Sequence, residues 1–327
     1  MLGATDIHRP DQSPKRTRRS RGRNQPKPTR FISLCSLNDQ HGIYPVSITA
    51  PLDDQDRNSR LVPAEVTSVE GMTTAAKAQT LIDLYDAPEI LRVVNVWDVV
   101  GARAVAALPE TKAIATAGHG IAASFGYDDG STPRDVMIDM VGRIAAAVRV
   151  PVTADLDDGY GDAGETTRLA IAAGVVGANV EDRLKPLAES VAAVEAIIKA
   201  AEAEGVPFAL NARTDAFVRG GGRPVEESVA DAIQRGRAFL DAGATAVFVP
   251  GILDANITRQ LVEGIGERKV SVIGLPGALT AAAYEALGVA RISYGPLPQR
   301  VALTALQELA SDLYGTGAIP AGLPALN

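Results

Sequence analysis

Eight short apolar runs, rich in β-branched residues and separated by stretches of helical period, constrain this 327-residue chain more than any other feature. The runs are Arg92 to Trp97, Ala113 to Ala117, Val150 to Asp155, Gly177 to Glu181, Phe208 to Arg213, Ala246 to Pro250, Lys269 to Leu275 and Arg291 to Tyr294. Short continuous apolar runs suit strands buried on both faces, as in a parallel sheet whose crossovers are helices. Helices are expected at Arg134 to Val148, Gly164 to Ala173, Ser190 to Glu204, Val225 to Asp241, Asn256 to Ile265 and Thr280 to Leu287. Gly174, Gly205, Gly243 and Gly288 stand just past helix ends, where a left-handed residue closes the last turn. Eight such units close into a (β/α)8 TIM barrel; a doubly wound open sheet, the alternative, more usually has about five to seven strands. The expected fold class is α/β, a TIM barrel with a disordered N-terminal extension.

Composition narrows the function classes. A net charge of -7 offers no basic face to nucleic acid or an anionic membrane, so the barrel is expected to bind neither. The single cysteine, Cys35, permits no intrachain disulfide and no four-thiolate metal site. With no apolar run of about 18 residues and no secretory core near the N-terminus, a cytoplasmic protein is expected.

Residues 1–71 read differently. The first thirty carry Arg9, Lys15, Arg16, Arg18, Arg19, Arg21, Arg23, Lys27 and Arg30 against Asp6 and Asp11, broken by four prolines. Such a stretch cannot bury enough apolar surface to offset its ordering entropy, so disorder is expected. It reads as a basic arm, as an organelle-targeting peptide, or as sequence upstream of a true start at Met72, the reading favoured here. Residues 72–327 then form the catalytic barrel.

Barrel active sites lie at the C-terminal ends of the strands, which here carry Asp155-Leu156-Asp157-Asp158-Gly159-Tyr160-Gly161, Glu181-Asp182-Arg183 and Asn211-Ala212-Arg213-Thr214-Asp215. Alternation puts Asp155 and Asp157 on one side, and two carboxylates in a narrow interior call for a cation. Oxygen ligands without His or Cys nearby point to Mg²⁺ or Mn²⁺, with Glu181 able to complete the shell. Asp158 and Asp162 are read as turn and cap residues. Arg213, ending an apolar strand, either grips a substrate carboxylate or pairs with Glu181 or Asp215. The Thr116-Ala117-Gly118-His119-Gly120 turn offers backbone amides for an oxyanion, and His119 is either a bystander or a proton carrier.

Together these stretches resemble the isocitrate lyase / phosphoenolpyruvate mutase superfamily over about residues 75–315. Other matching pieces are Asn95-Val96-Trp97-Asp98, Ala122 to Gly130 and Val247-Phe248-Val249-Pro250-Gly251. The resemblance implies that Asp157 binds Mg²⁺ directly while Asp155, Asp129 and Glu181 hold its waters. It also implies that Trp97, Arg213 and the amides of Ala117 and Gly118 contact the substrate carboxylate. A homo-oligomer, dimer or tetramer, is implied too, with a C-terminal helix near Arg300 to Tyr314 reaching a neighbour.

Two departures redirect the expected activity. The lyases of this superfamily place a Lys-x-Cys-Gly-His loop after Glu-Asp, and its phosphonate mutases an Asn-containing gating loop. Here Glu181-Asp182-Arg183-Leu184-Lys185-Pro186-Leu187 runs straight into the next helix. A serine common in the carboxylate-binding turn is Ala117. The expectation is a Mg²⁺-dependent C–C lyase or decarboxylase of a small, oxaloacetate-like 2-oxo or 2-hydroxy diacid, acting through a pyruvate-type enolate with Tyr160 or His119 as proton carrier. The alternatives are a carboxyphosphonoenolpyruvate or phosphoenolpyruvate phosphonomutase, a non-catalytic metabolite-binding barrel, and a nucleic-acid-associated protein using the front arm.

Overall fold

The computed structural model describes residues 72–326. The basic extension of residues 1–71, with its three readings and Cys35, lies outside the described residues.

α1 (Thr74–Asp86) leads into the first strand, capped by Thr73, whose side chain accepts from the Ala76 amide. Then follow β1 (Leu91–Val96), α2 (Val99–Ala106), β2 (Ile114–Thr116), α3 (Gly118–Phe125), α4 (Arg134–Ala147), β3 (Val152–Asp155) and α5 (Ala163–Ala172). The second half comprises β4 (Gly177–Glu181), α6 (Leu187–Ala203), β5 (Ala209–Arg213), α7 (Val225–Asp241), β6 (Ala246–Phe248), α8 (Ala255–Ile265), β7 (Val270–Ile273), α9 (Ala281–Ala286), β8 (Arg291–Ser293) and α10 (Leu297–Gly315). The strands pair in sequence order and all in parallel, and β1 closes on β8 with Leu91 opposite Arg291. The expected barrel is the observed one.

The chain folds this way because its punctuation agrees with its periodicity. Gly174 takes φ +90° directly after α5, letting the chain reverse into β4. Asp162 caps α5 by accepting from the Glu165 amide at 3.0 Å, the role read for it in the sequence. Alternation sends Val180, Leu210 and Ala212 outwards beneath α6, while Asn179, Glu181 and Arg213 face the cavity inside the barrel. Burying Val180 and Leu210 contributes about 1.5–3 kcal/mol each.

The barrel interior holds a polar layer beneath that cavity. Arg291 donates from Nη1 to the Tyr85 hydroxyl at 2.9 Å and to Asn179 Oδ1 at 2.8 Å, linking β8 to β4 and α1. At the other margin, Gln299 ties α10 to α3 by donating to the Gly120 carbonyl at 3.0 Å. Beyond it α10 leaves Val301, Leu303, Leu306 and Tyr314 exposed. No helix among the described residues is long and apolar enough to cross a membrane.

Candidate active site

A cavity of about 340 Å³ opens at the C-terminal ends of the strands. It gathers His119, Asp129, Asp155, Asp157, Glu181 and Arg213, all singled out in the sequence, and adds Asn95, Asn179, Arg183, Arg219 and Ser293.

Asp155 ends β3, and its Oδ2 accepts from the Gly118 amide at 3.3 Å. Asp157 follows in a left-handed turn at φ +48° that brings it to the same cavity. Burial, reinforced by the charge of Asp157, pushes Asp155 up to about 7. Burial raises Asp157 as well. The nearby guanidiniums pair elsewhere: Arg213 Nη1 with Glu181 Oε2 at 2.7 Å, Arg213 Nε with Asp215 Oδ1 at 2.7 Å, and Arg183 Nε with Glu181 Oε1 at 2.9 Å. Asp155 and Asp157 share the cavity with their repulsion only partly offset by Arg213 and Arg183, an arrangement that a cation relieves. Among the described residues no three His, Cys, Asp or Glu side chains stand close enough to ligate one ion jointly. The donors that Asp155 and Asp157 do offer are carboxylate oxygens, which suit a hard ion that keeps most of its waters, as Mg²⁺ does.

Both pairings considered for Arg213 are made at once. It lies in register with Glu181 and still lines the cavity, so the ion pairs orient the guanidinium without removing it from the site. Glu181, by the same contacts, is an anchor for two arginines. Asp215 is fully buried and also accepts from Arg219 Nε at 2.8 Å. Asp129 stands at the mouth, its Oδ2 3.5 Å from His119 Nδ1. Asp158, read as a turn residue, pairs with Lys185 at 3.3 Å.

Several expected contacts are placed differently. The Gly-rich turn is the beginning of α3, and the Ala117 amide is spent on the Val96 carbonyl at 2.8 Å, a ladder bond that removes it from any oxyanion site. The Gly118 amide is directed at Asp155. Trp97 packs half-buried against the core and is absent from the cavity wall. Tyr160, at φ +56°, buries its hydroxyl near Asp157 without a well-formed hydrogen bond and does not line the cavity either. Burial first, then the Asp157 charge, hold this phenol protonated far above its usual range.

The segment after β4 is a tight turn. Arg183 and Leu184 both adopt left-handed backbone, φ +47° and +53°. Asp182, buried, fixes them: its Oδ1 accepts from the Leu184 and Asp215 amides, and its Oδ2 from Arg235. Asn179 was missed in the sequence, although a polar residue inside Ala178-Asn179-Val180, on the same strand face as Glu181, was the available signal.

A closed parallel barrel with an acidic, arginine-flanked cavity at its strand ends belongs among the (β/α)8 enzymes. Residues 81–314 match the phosphoenolpyruvate phosphomutase family, and the chain belongs to that family, within the isocitrate lyase / phosphoenolpyruvate mutase superfamily of lyases and mutases. An uncharacterized protein of Mycobacterium tuberculosis is 31% identical over 233 residues, covering 70% of this chain and 87% of its own. An oxaloacetate decarboxylase of Bradyrhizobium is 33% identical over 201 residues, 58% of this chain and 68% of its own. A crystal structure from Burkholderia cenocepacia, provisionally described as a phosphonomutase, superposes with TM-score 0.68 at 35% identity, covering 72% of this chain and 99% of that one.

Proposed function

We propose that this enzyme is a Mg²⁺-dependent C–C lyase or decarboxylase of a small 2-oxo or 2-hydroxy diacid, with oxaloacetate the first substrate to test. The observation that carries this reading is the convergence of Asp155, Asp157 and Arg213 on one cavity beside a short β4–α6 turn, Asp182 to Pro186, that holds no cysteine and no long gating loop. The likeness to an oxaloacetate decarboxylase supports it.

Asp157 would hold the ion, with Asp155 and Asp129 on its waters. When bound, Mg²⁺ stabilises the negative charge that develops as a carbon–carbon bond next to a carbonyl breaks. Arg213, oriented by Glu181 and Asp215, binds the substrate carboxylate. The Gly118 amide at the start of α3 supports Asp155 instead of the substrate. His119, exposed at the mouth, delivers the proton that ends the reaction. A homo-oligomer formed through the apolar face of α10 belongs to the same proposal.

The test is pyruvate release from oxaloacetate with and without Mg²⁺, run beside phosphoenolpyruvate followed by ³¹P NMR. Turnover of oxaloacetate that Asp157→Ala abolishes supports the lyase. A phosphonate signal would replace it with the mutase, and no turnover of any 2-oxo or 2-hydroxy diacid would leave a metabolite-binding barrel.

A further inference from the structure

Arg291 is 1% exposed in the barrel interior, and the groups that receive its hydrogen bonds are neutral: the Tyr85 hydroxyl and Asn179 Oδ1. The same Asn179 oxygen accepts a second bond, from Asn211 Nδ2 at 2.8 Å, and Asn211 also donates to Ser271 Oγ at 3.2 Å. Guanidinium groups donate and never accept, so only the oxygen of the Asn179 amide can face Arg291. Where an amide's two ends are hard to tell apart, such a partner decides them. Both lone pairs of Oδ1 are then occupied from below, and the Asn179 Nδ2 must point the other way.

That way lies the cavity. Asn179 lines it, 8% exposed, one strand over from Asp155 in direct register and two residues before Glu181 on the same strand face. Its Nδ2 donates to no protein group among the described residues, whereas Asn95, on the same wall, has its oxygen taken by the Tyr294 and Gly295 amides and its nitrogen by the Thr116 carbonyl. A nearly buried donor held at a cavity wall with no protein acceptor awaits an acceptor on a ligand.

We infer that Asn179 is a substrate-binding residue whose Nδ2 donates to a carboxylate or enolate oxygen of the substrate, and that Arg291 is a positioning residue that locks this amide in its donating orientation. Arg291 needs no carboxylate for this task, and a buried counter-ion would compete with Asn179 Oδ1 for its Nη1. The inference rests on the lyase reading and extends its substrate contacts from Arg213 to a second wall of the cavity.

The test uses the full chain with saturating Mg²⁺ and oxalate, a planar dianion shaped like a 2-oxo acid enolate, titrated calorimetrically. Asn179→Ala removes the donor, and Asn179→Asp removes it while keeping an acceptor for Arg291 and Asn211. Loss of a hydrogen bond to a charged ligand should weaken oxalate about tenfold or more in both variants. Mg²⁺ affinity should stay within about twofold in Asn179→Ala, which adds no charge beside Asp155, and Asn179→Asp should unfold near the wild-type temperature because its contacts below are retained. Arg291→Met should raise KM several-fold in the wild-type background and have no further effect on KM beside Asn179→Ala, the non-additivity expected of a residue acting through another. Oxalate affinity within twofold of wild type in both Asn179 variants overturns the inference while leaving the lyase reading standing. A wild-type protein that neither binds oxalate nor turns over a 2-oxo or 2-hydroxy diacid overturns both.

Discussion

Arg213 and Glu181 are direct partners in the β4–β5 register, and their side chains meet at 2.7 Å over the cavity floor. With Nε committed to Asp215 and Nη1 to Glu181, the guanidinium is held by two anchors in one plane. A lysine ammonium is a compact point charge without the planar fork that holds both anchors and the substrate in fixed directions. Arg213→Lys is expected to lower kcat/KM for oxaloacetate about hundredfold, close to 2.7 kcal/mol of transition-state binding. It should also lower the melting temperature, because the fully buried Asp215 keeps only Arg219. Steady-state kinetics and a thermal melt check both halves; unchanged kcat/KM would remove Arg213 from the substrate site.

If Asp155 and Asp157 hold Mg²⁺ as proposed, the pair links metal binding to pH. Asp155 rests near 7 when folded, above the value of about 3.9 for an unfolded aspartate, so the folded state holds this proton more tightly. In metal-free protein its contribution favours folding at low pH and is lost as pH rises from about 4 through about 7. Mg²⁺ requires the charged carboxylates and reverses that loss. Added Mg²⁺ should therefore raise the melting temperature more at pH 8 than at pH 6, with affinity about tenfold weaker at the lower pH. Equal shifts at the two values would contradict the assignment.

Much of this molecule is legible in its sequence because two periodicities rarely coincide by accident. The eight strands fall within or beside the expected runs, and α7 has the expected bounds, Val225–Asp241. What the sequence concealed follows from interactions between distant segments. The stretch Gly118-His119-Gly120 reads as a loop on glycine content, yet it begins α3, where Gly120 is needed because a Cβ would meet Trp97 at 3.0 Å. Tyr160 looks like a proton carrier beside three aspartates, but its hydroxyl is buried near Asp157 and is held protonated there, which no local pattern announces. Arg291 and Asn179 lie 112 residues apart, and nothing local marks either as the other's partner.

Gly118 separates activity from stability. A Cβ built there stands 2.9 Å from Asp155 Oδ2 and 3.1 Å from its Cγ, so Gly118→Ala must displace the carboxylate. Alanine inside a helix is otherwise favoured over glycine by about 1 kcal/mol. At the first residue of α3 that gain is small and the displaced carboxylate opposes it, so the variant should melt somewhat lower than wild type yet remain folded, and bind Mg²⁺ about tenfold more weakly, the cost of moving one buried ligand-shell group. Isothermal titration beside a melt decides it, and wild-type Mg²⁺ affinity would show that Asp155 plays no part in holding the ion.

The two candidate proton carriers make opposite predictions. Tyr160 is held protonated by burial and by Asp157, and it does not line the cavity, so Tyr160→Phe should change kcat less than about threefold. His119 reaches the cavity with Asp129 beside its Nδ1, and His119→Gln should lower kcat about hundredfold while leaving KM nearly unchanged. Deuterium incorporation into pyruvate reports the protonation step directly. A larger loss from Tyr160→Phe than from His119→Gln would reverse the assignment.

α10 presents Leu303 and Leu306, neighbours one turn apart, at 56% and 60% exposure, with Tyr314 at 92% near its end on the same side and Val301 exposed on another. Its inner side is fixed to α3 through Gln299, so the helix cannot turn this apolar face inwards. Several large apolar side chains exposed along one helix mark an association surface more often than a solvent face. The same surface on a second copy would cover it by a two-fold arrangement in which each α10 is both donor and receiver of the contact. Leu303→Glu with Leu306→Glu should convert an oligomer to a monomer by light scattering and leave Mg²⁺ affinity unchanged, because neither residue lines the cavity. A wild-type protein that is already monomeric at micromolar concentration would remove this assignment and leave the α10 face without a role.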